Sequence, residues 1–188
     1  SWTELKNNGE EDLGVEYVSS FALLGIDKEG LLSTDEKLEV LIARNAWQKE
    51  LIWNRFSMDQ LGMSISQPDK VRRSSQTISV GNTGNWSTKN YLPMGCLKNK
   101  ETDSILFWQI EQNGSWYWEI SDQDGHMYLQ LSGPTEHQSH WWKNLKPGDT
   151  FASVPVSVGS ACGDVEEAAG ELTKYRRAIR RKNEDNEK

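Results

Sequence analysis

The chain has 188 residues and a formal net charge of −7, and its length is typical of one folded domain with a short appendage. Hydrophobic side chains make up 36% of it and charged ones 26%, a composition that excludes a disordered chain. The negative charge argues against a nucleic-acid partner, because binding to phosphates needs a basic surface, and no apolar run approaches the roughly 20 residues that span a membrane. Nine tryptophans against four phenylalanines are typical of a β core or of a flat platform for ligands such as sugar rings.

Two β segments are predicted in the first third of the chain. Residues 14–26 (GVEYVSSFALLGI) have the composition of a strand and are followed by a turn at residues 27–30. Residues 38–56 are ambiguous, since their apolar side chains fit a helix about as well as a pair of strands. The β signals around them favour strands, because an isolated helix would interrupt an otherwise sheet-like chain.

A polar stretch between residues 63 and 93 is rich in Ser, Thr, Asn and Gly and predicts mostly loop with short strands. It contains the candidate substrate-binding residues Arg72, Arg73, Ser75 and Trp86. Arginine and hydroxyl groups in a loop can hydrogen-bond the hydroxyls of a sugar, and an indole ring can stack on a sugar ring. A solvated basic turn, with Trp86 covering a sheet edge, is the alternative interpretation.

Three successive strands are predicted between residues 105 and 131, with the sequences ILFWQIE, WYWEI and HMYLQL. They are separated by Asn-Gly at 113–114 and Asp-Gly at 124–125, which favour tight hairpin turns. We therefore expect a three-stranded meander. Apolar residues such as Trp108 and Trp118 alternate with polar ones along the first two strands, so one face should be buried and the other polar.

The last part of the chain changes from strand to helix. Residues 147–163 predict a turn and one more strand, because small and β-branched residues alternate there. Asp164 and Glu167 form a D-x-x-E helix start, and apolar residues then recur at intervals of three and four. This spacing predicts a helix from about Val165 to about Lys182, whose basic second half suits a helix C-terminus. Residues 183–188 are predicted to be disordered.

Candidate catalytic and metal-binding groups are sparse in this sequence. The carboxylates of Glu50, Asp59, Glu119, Asp122 and Asp124 have no flanking catalytic signature, so we interpret them as solvated surface charge. The three histidines lack the spacing of metal ligands, and Gly-Pro at 133–134 argues against a helix that would bring two of them together. We expect no metal site, and we interpret the two cysteines as free thiols.

The adjacent Trp141 and Trp142 form a candidate interface. If this segment is extended, only one of the two rings can point inward, because successive side chains of a strand lie on opposite faces. The other ring would be exposed, and an exposed aromatic side chain is typical of a contact with another domain or subunit.

Four ordered segments resemble glycoside hydrolase family 36 α-galactosidases. Residues 46–50 (AWQKE) look like the G-A-W-x-x-E element of that family, and residues 71–76 (VRRSSQ) resemble its S-R-x-G-x-S-S segment. Residues 132–151 are similar to its N-P-x-x-F-x-W-x-L-x-P-G-E-x-F segment, with Trp142, Leu145, Pro147, Gly148 and Phe151 in place. Residues 171–181 (ELTKYRRAIRR) resemble the helix that leads into the catalytic barrel. Aspartate replaces the family's glutamate at position 149.

This resemblance implies an all-β fold, a β-supersandwich of the galactose-mutarotase-like type with a C-terminal α-helix. It implies a sandwich domain at residues 1–163 and an exit helix at residues 164–182, leading to a (β/α)8 barrel that this chain lacks. The family's catalytic aspartates lie on that barrel. We therefore expect no catalytic residue and no cofactor in the chain itself.

The function implied by the resemblance is that of a non-catalytic N-terminal domain in a bacterial enzyme of carbohydrate metabolism. The parent enzyme would be a retaining glycoside hydrolase that removes terminal α-galactosyl residues from α-galactoside oligosaccharides. The expected partners are its own catalytic barrel and further copies in a homo-oligomer, with Trp141, Trp142, Tyr175 and Ile179 as candidate interface residues. We expect a cytoplasmic protein, with no nucleic-acid or membrane partner.

Two alternative functions stay open. A free-standing carbohydrate-binding module would need exposed, coplanar tryptophans along one face, and it would bind sugars without a barrel. A mutarotase-like sugar enzyme would need a histidine and a glutamate in one cleft, since the fold alone does not imply that activity.

Overall fold

The computed structural model describes residues 1–63, 76–123 and 125–180. The strands are β1 (Glu4–Lys6), β2 (Leu13–Val15), β3 (Ser19–Leu24), β4 (Leu38–Ala46), β5 (Lys49–Ser57), β6 (Ile78–Asn82), β7 (Tyr91–Asn99), β8 (Ser104–Ile110), β9 (Trp116–Gln123), β10 (His126–Ser132), β11 (Lys143–Leu145), β12 (Thr150–Ala152) and β13 (Val156–Cys162). The helices in these ranges are α1 (Thr34–Lys37), α2 (Glu136–Ser139) and α3 (Val165–Ile179), and a short 3-10 helix covers Asp59–Leu61.

Two larger antiparallel sheets make up most of the molecule. One has four strands in the order β3-β10-β9-β6, and the other has five in the order β13-β8-β7-β4-β5. Two small two-stranded sheets, β1-β12 and β11-β2, accompany them. The expected all-β sandwich with a C-terminal helix is confirmed.

The main hydrophobic core lies between the two larger sheets. Trp108 on β8 and Trp118 on β9 are both fully buried, and their rings meet edge to face with centroids 5.1 Å apart. Because β8 belongs to the five-stranded sheet and β9 to the four-stranded sheet, this contact joins the sheets across the core. The apolar stripes predicted on these two strands therefore face each other.

The predicted three-stranded meander is wrong in one of its two pairings. Strands β9 and β10 form the expected hairpin, but β8 pairs with β7 and β13, and the chain crosses from one sheet to the other between β8 and β9. Alternation of apolar residues identifies the buried face of a strand but not its neighbour, so the pattern could not reveal this crossing. Asp124, in the turn between β9 and β10, lies outside the described residues.

The five-stranded sheet is covered on both faces. Ile105 and Phe107 of β8 point away from the sandwich core and are buried against α3, together with Ala168 and Leu172 of that helix. The polar outer face that the alternation pattern predicted is therefore partly apolar on this strand. The helix packs on the outside of the sheet and gives the fold a third layer.

The hairpin over residues 38–56 is confirmed as two strands. Strands β4 and β5 pair antiparallel, with a register that matches Leu41 to Arg55 and Ala46 to Lys49. The connection at residues 47–48 is tight, and Gln48 adopts a φ of 60°. This turn projects Trp47 away from the sheet, so that 88% of its surface is exposed.

The single strand predicted at residues 14–26 is two strands in the structure. Strand β2 pairs with β11, whereas β3 pairs with β10 at the edge of the four-stranded sheet. The break at residues 16–18 lets the chain change partner, which the composition of the segment did not indicate. The short helix α1 that follows was also not predicted, although Ser33 and Glu36 form a capping box around its start.

The C-terminal helix begins at Val165 as predicted, and Asp164 and Glu167 form the expected capping box. Its last helical residue is Ile179, earlier than the predicted Lys182, which lies outside the described residues with the tail at 183–188. Two strands, β12 and β13, precede it where one was expected.

Both cysteines are free, as expected; Cys96 is buried and Cys162 is exposed. The stretch after Gly-Pro at 133–134 does form one turn of helix, α2, because Thr135 accepts a hydrogen bond from the backbone of Gln138 and caps it. The expectation that this stretch is not helical is therefore wrong. In the described parts of the chain, no helix is long and apolar enough to cross a membrane.

Candidate functional site

A groove of about 730 Å³ runs between α3 and the outer face of the five-stranded sheet. Apolar side chains of β5 and β7 form its floor, among them Trp53 and Met94, and α3 forms its wall with Leu172 and Ile179. Ile179 is 53% exposed at the end of the helix. A partly open apolar groove of this size is typical of a surface that another chain segment or ligand covers.

The N-terminal end of α3 is held against the sheet by an ion-pair network. Arg55 on β5 donates from Nη2 to both carboxylate oxygens of Asp164, at 2.6 Å each, and from Nη1 to Glu39 Oε2 at 2.8 Å. Burial raises the pKa of Asp164, but the hydrogen bond and charge of Arg55 outweigh burial, so its pKa is lowered overall. The helix thus starts at a fixed place on the sheet.

The second half of α3 is held by polar contacts to the loop end of β8. Tyr175 donates its hydroxyl proton to Glu111 Oε1 at 2.5 Å, and the pKa of Tyr175 is raised by this bond. Arg176 Nε donates to Gln109 Oε1 at 3.0 Å. Tyr175, predicted as an interface residue, therefore has its hydroxyl group engaged within the chain.

Exposed tryptophans lie at the end of the sheet beside this groove. Trp86, predicted as a substrate-binding residue, is 63% exposed in the loop between β6 and β7. Asn45 holds that loop next to the β4–β5 hairpin, donating from Nδ2 to the carbonyl of Thr88 at 2.6 Å. The hairpin carries Trp47, and the loop residues Ser87 and Thr88 line the groove. Neither indole ring lines the groove itself, but the loop that carries Trp86 borders it through Ser87 and Thr88.

The predicted interface residues Trp141 and Trp142 lie outside the groove beside α3. The ring of Trp141 packs on Phe151 with centroids 5.4 Å apart, while Trp142 is 65% exposed. One ring thus faces inward and one outward, as the extended-segment argument required. Neither tryptophan lines the groove beside α3.

Three of the four predicted substrate-binding residues, Arg72, Arg73 and Ser75, lie outside the described residues. Within the described ranges, no group of three or more His, Cys, Asp and Glu side chains is arranged to hold a metal ion.

Glu119 is a residue whose environment the sequence interpretation missed. It was interpreted as solvated surface charge, yet it is partly buried, and its carboxylate accepts hydrogen bonds from the hydroxyls of Tyr117 and Tyr128. It lines a small cleft that His137 also lines, so a glutamate and a histidine share one cleft. The alternation Tyr-x-Glu on β9 was the available signal, but only the pairing with β10 brings the second tyrosine to the carboxylate.

Comparison of sequences does not assign this chain to a family, since no protein-family model and no curated protein matches it. Its fold, in contrast, matches solved structures. An α-galactosidase from Lactobacillus brevis superposes with a TM-score of 0.69 and 14% identity over 92% of this chain. The GH36 α-galactosidase AgaA from Geobacillus stearothermophilus gives 0.65 and 14% over 85%, and the galactosidase domain of the α-galactosidase-sucrose kinase AgaSK gives 0.64 and 19% over 86%.

The matched region is a small part of each of those proteins. The chain spans 20% of the Lactobacillus brevis chain, 19% of AgaA and 20% of the AgaSK galactosidase domain. At these identities the likeness is one of fold. It confirms the resemblance to GH36 α-galactosidases at the level of architecture.

Proposed function

We propose that this chain is the non-catalytic N-terminal β-sandwich domain of a retaining α-galactosidase of glycoside hydrolase family 36. The observation that carries the proposal is the extent of the fold match: 85 to 92% of this chain superposes on about a fifth of each α-galactosidase. The parent enzyme would remove terminal α-galactosyl residues from oligosaccharides through two carboxylates on a barrel beyond this chain.

The structure supports a role for α3 as the connection to that barrel. Its start is fixed by Arg55 and Asp164, and its exposed end at Ile179 lies beside the apolar groove. In this proposal, residues 1–163 form the sandwich domain and residues 164–182 form the exit helix. The barrel would cover the groove, because a native domain rarely leaves so large an apolar surface open to water.

The finer roles are parts of the same proposal. Trp86, whose neighbours Ser87 and Thr88 line the groove, would position substrate together with Arg72, Arg73 and Ser75. Trp142, which is exposed and does not line the groove, would contact a second copy in a homo-oligomer.

The test compares this chain with the protein that carries the residues encoded after Lys188. Both are assayed with p-nitrophenyl α-galactoside and with raffinose, and the anomer first released is identified by NMR. We expect the longer protein to release α-galactose and the chain alone to be inactive. Hydrolysis by the chain alone, or a longer protein that cleaves no α-galactoside, would contradict the proposal.

Substrate positioning is tested in the longer protein with Trp86→Ala and the control Trp2→Ala, which removes a similarly exposed indole from the N-terminal segment. Loss of one stacking contact should raise KM for raffinose by about 2- to 10-fold in the first variant only. Equal KM values in both variants would remove Trp86 from the substrate site.

A further inference from the structure

A second, polar cleft of about 250 Å³ lies on the outer face of the four-stranded sheet, away from the groove. Its floor is formed by outward-facing side chains of β9 and β10, and its walls by the segment before β3 and by α2. The lining residues used below are Glu16, Tyr17, Tyr117, Glu119, Gln130 and Glu136.

Glu119 is the fixed centre of this cleft. Tyr117, two residues earlier on β9, donates its hydroxyl proton to Glu119 Oε2 at 2.6 Å. Tyr128 on β10 donates to Glu119 Oε1 at 2.8 Å. Each carboxylate oxygen has further lone pairs, so Glu119 can still accept hydrogen bonds from a ligand while its position is held.

The wall of the cleft is tied to its floor by Tyr17 and Gln130, whose hydroxyl and amide groups are hydrogen-bonded to each other. Burial raises the pKa of Tyr17 to about 12, and the charge of Glu119 adds to this effect. Burial also raises the pKa of Tyr117 and Tyr128, each of which in addition donates a hydrogen bond to Glu119. The three phenols therefore stay protonated at neutral pH. Tyr117 and Tyr128 donate their protons to Glu119, whereas Tyr17 accepts from the Gln130 amide and keeps its own hydroxyl proton for a ligand.

The chemistry of the lining selects one class of ligand. Three glutamates, Glu16, Glu119 and Glu136, line the cleft, and among the described residues no Lys or Arg lines it, so an anion would be repelled. A cation would use only the acceptors and leave the hydroxyl proton of Tyr17 and the second N–H of the Gln130 amide without a role. A neutral polyhydroxyl compound uses both, and its apolar C–H face can lie on a tyrosine ring.

The volume of the cleft limits the size of the ligand. Sites for drug-sized ligands usually measure about 300 to 1,000 Å³, so a cleft of 250 Å³ suits a single ring. We propose that this cleft binds one neutral sugar ring through Glu119, the tyrosine hydroxyls and the Gln130 amide. This goes beyond the proposed function, because it assigns a sugar site to the sandwich itself and needs no barrel.

The test is an NMR titration of the ¹⁵N-labelled chain with methyl α-D-galactopyranoside and, separately, methyl α-D-glucopyranoside. A shallow site for one ring should have a Kd on the order of 1 mM. We expect saturable shifts confined to amides near residues 16–17, 117–119, 128–130 and 135–138. The proposal would be overturned if neither glycoside gave a saturable shift at concentrations up to tenfold above this Kd.

Two variants and a control assign the effect to the cleft. Glu119→Gln should weaken binding by about tenfold, as expected for losing a charge-assisted hydrogen bond. Tyr17→Phe, at the edge of the cleft, should weaken sugar binding several-fold. This second variant keeps the proposal testable if Glu119→Gln does not fold. The control is Glu111→Gln, because Glu111 also accepts from a tyrosine hydroxyl but lies in the groove beside α3.

Three results would count against a neutral-sugar site. Unchanged affinity in folded Glu119→Gln and in Tyr17→Phe would place the binding elsewhere. A loss of affinity in Glu111→Gln equal to that in Glu119→Gln would point to a general effect on the fold. Saturable shifts with ethylammonium but not with either glycoside would identify a cation site. None of these results bears on whether the longer protein hydrolyses α-galactosides, so the two proposals fail independently.

Discussion

Truncation of Leu172 to alanine tests whether α3 is docked on the sheet in solution. Leu172 is 6% exposed and packs with Ala168 of the same helix against Met94, Ile105 and Phe107 of the sheet. The helix has few other apolar anchors, since only Ala168 and Leu172 are buried among its residues. This one side chain therefore supplies much of the hydrophobic contribution to docking.

The size of the effect follows from the surroundings of Leu172. Replacing leucine by alanine removes three carbon atoms, each worth about 0.8 kcal/mol of burial, or about 2.4 kcal/mol in total. A closed cavity would add to this cost, but Leu172 borders the open groove, and the vacated space would merge with it. We therefore expect a loss near the lower end of the range of about 2 to 5 kcal/mol for such substitutions.

The measurement is urea unfolding followed by tryptophan fluorescence, supported by thermal melting. The melting temperature should fall by about 5 to 10 °C. Arg177→Ala, at an exposed position of the same helix, is the control and should change stability by less than about 0.5 kcal/mol. If Leu172→Ala is as stable as this control, α3 is not docked on the sheet as described.

Three other predictions follow from the packing and charges of the fold. Gly95→Ala should destabilise the chain by about 1 to 3 kcal/mol, because the added Cβ would lie 2.5 Å from a buried indole ring. Gly170→Ala should instead stabilise it by about 0.4 to 1 kcal/mol, because the added methyl group meets open space on a helix. Chemical denaturation measures both changes. In the native chain a thiol reagent should modify the exposed Cys162 at once and the other, buried cysteine only on unfolding, and equal rates would contradict the described burial. Arg55→Gln removes the ion pairs with both Asp164 and Glu39 and should cost up to about 1 kcal/mol at pH 7, since these pairs are partly exposed. The difference from the unchanged chain should shrink as the pH falls below about 4 through the lowered pKa of Asp164, and a difference that persists in full at low pH would exclude ion pairing by Arg55 as its source.

The sequence predicted an element of the fold correctly where a local pattern has a direct structural effect. The D-x-x-E pattern at Asp164 and Glu167 located the start of α3, because the capping box satisfies backbone groups at that position. Alternation along β8 and β9 identified Trp108 and Trp118 as core residues. Each of these inferences used residues within one element.

Predictions failed where the outcome depended on partners far apart in sequence. Strands β8 and β9 were expected to pair, but alternation does not encode which strand lies beside which. The cleft around Glu119 brings together Tyr17 and Gln130, which are 113 residues apart, so neither composition nor spacing could indicate it. The ion pair of Arg55 with Asp164, 109 residues apart, was missed for the same reason.

The attachment of α3 determines more than the stability of the sheet. At about 1.5 Å per residue, its 15 residues extend about 22 Å from Asp164, where Arg55 holds it. A change of about 5° in the tilt of the helix at that point would move its far end by about 2 Å. Any domain joined after Arg180 would receive its orientation through this helix, so a substitution that releases either of its attachments, at Arg55 or at Glu111, would misalign distant groups without touching them.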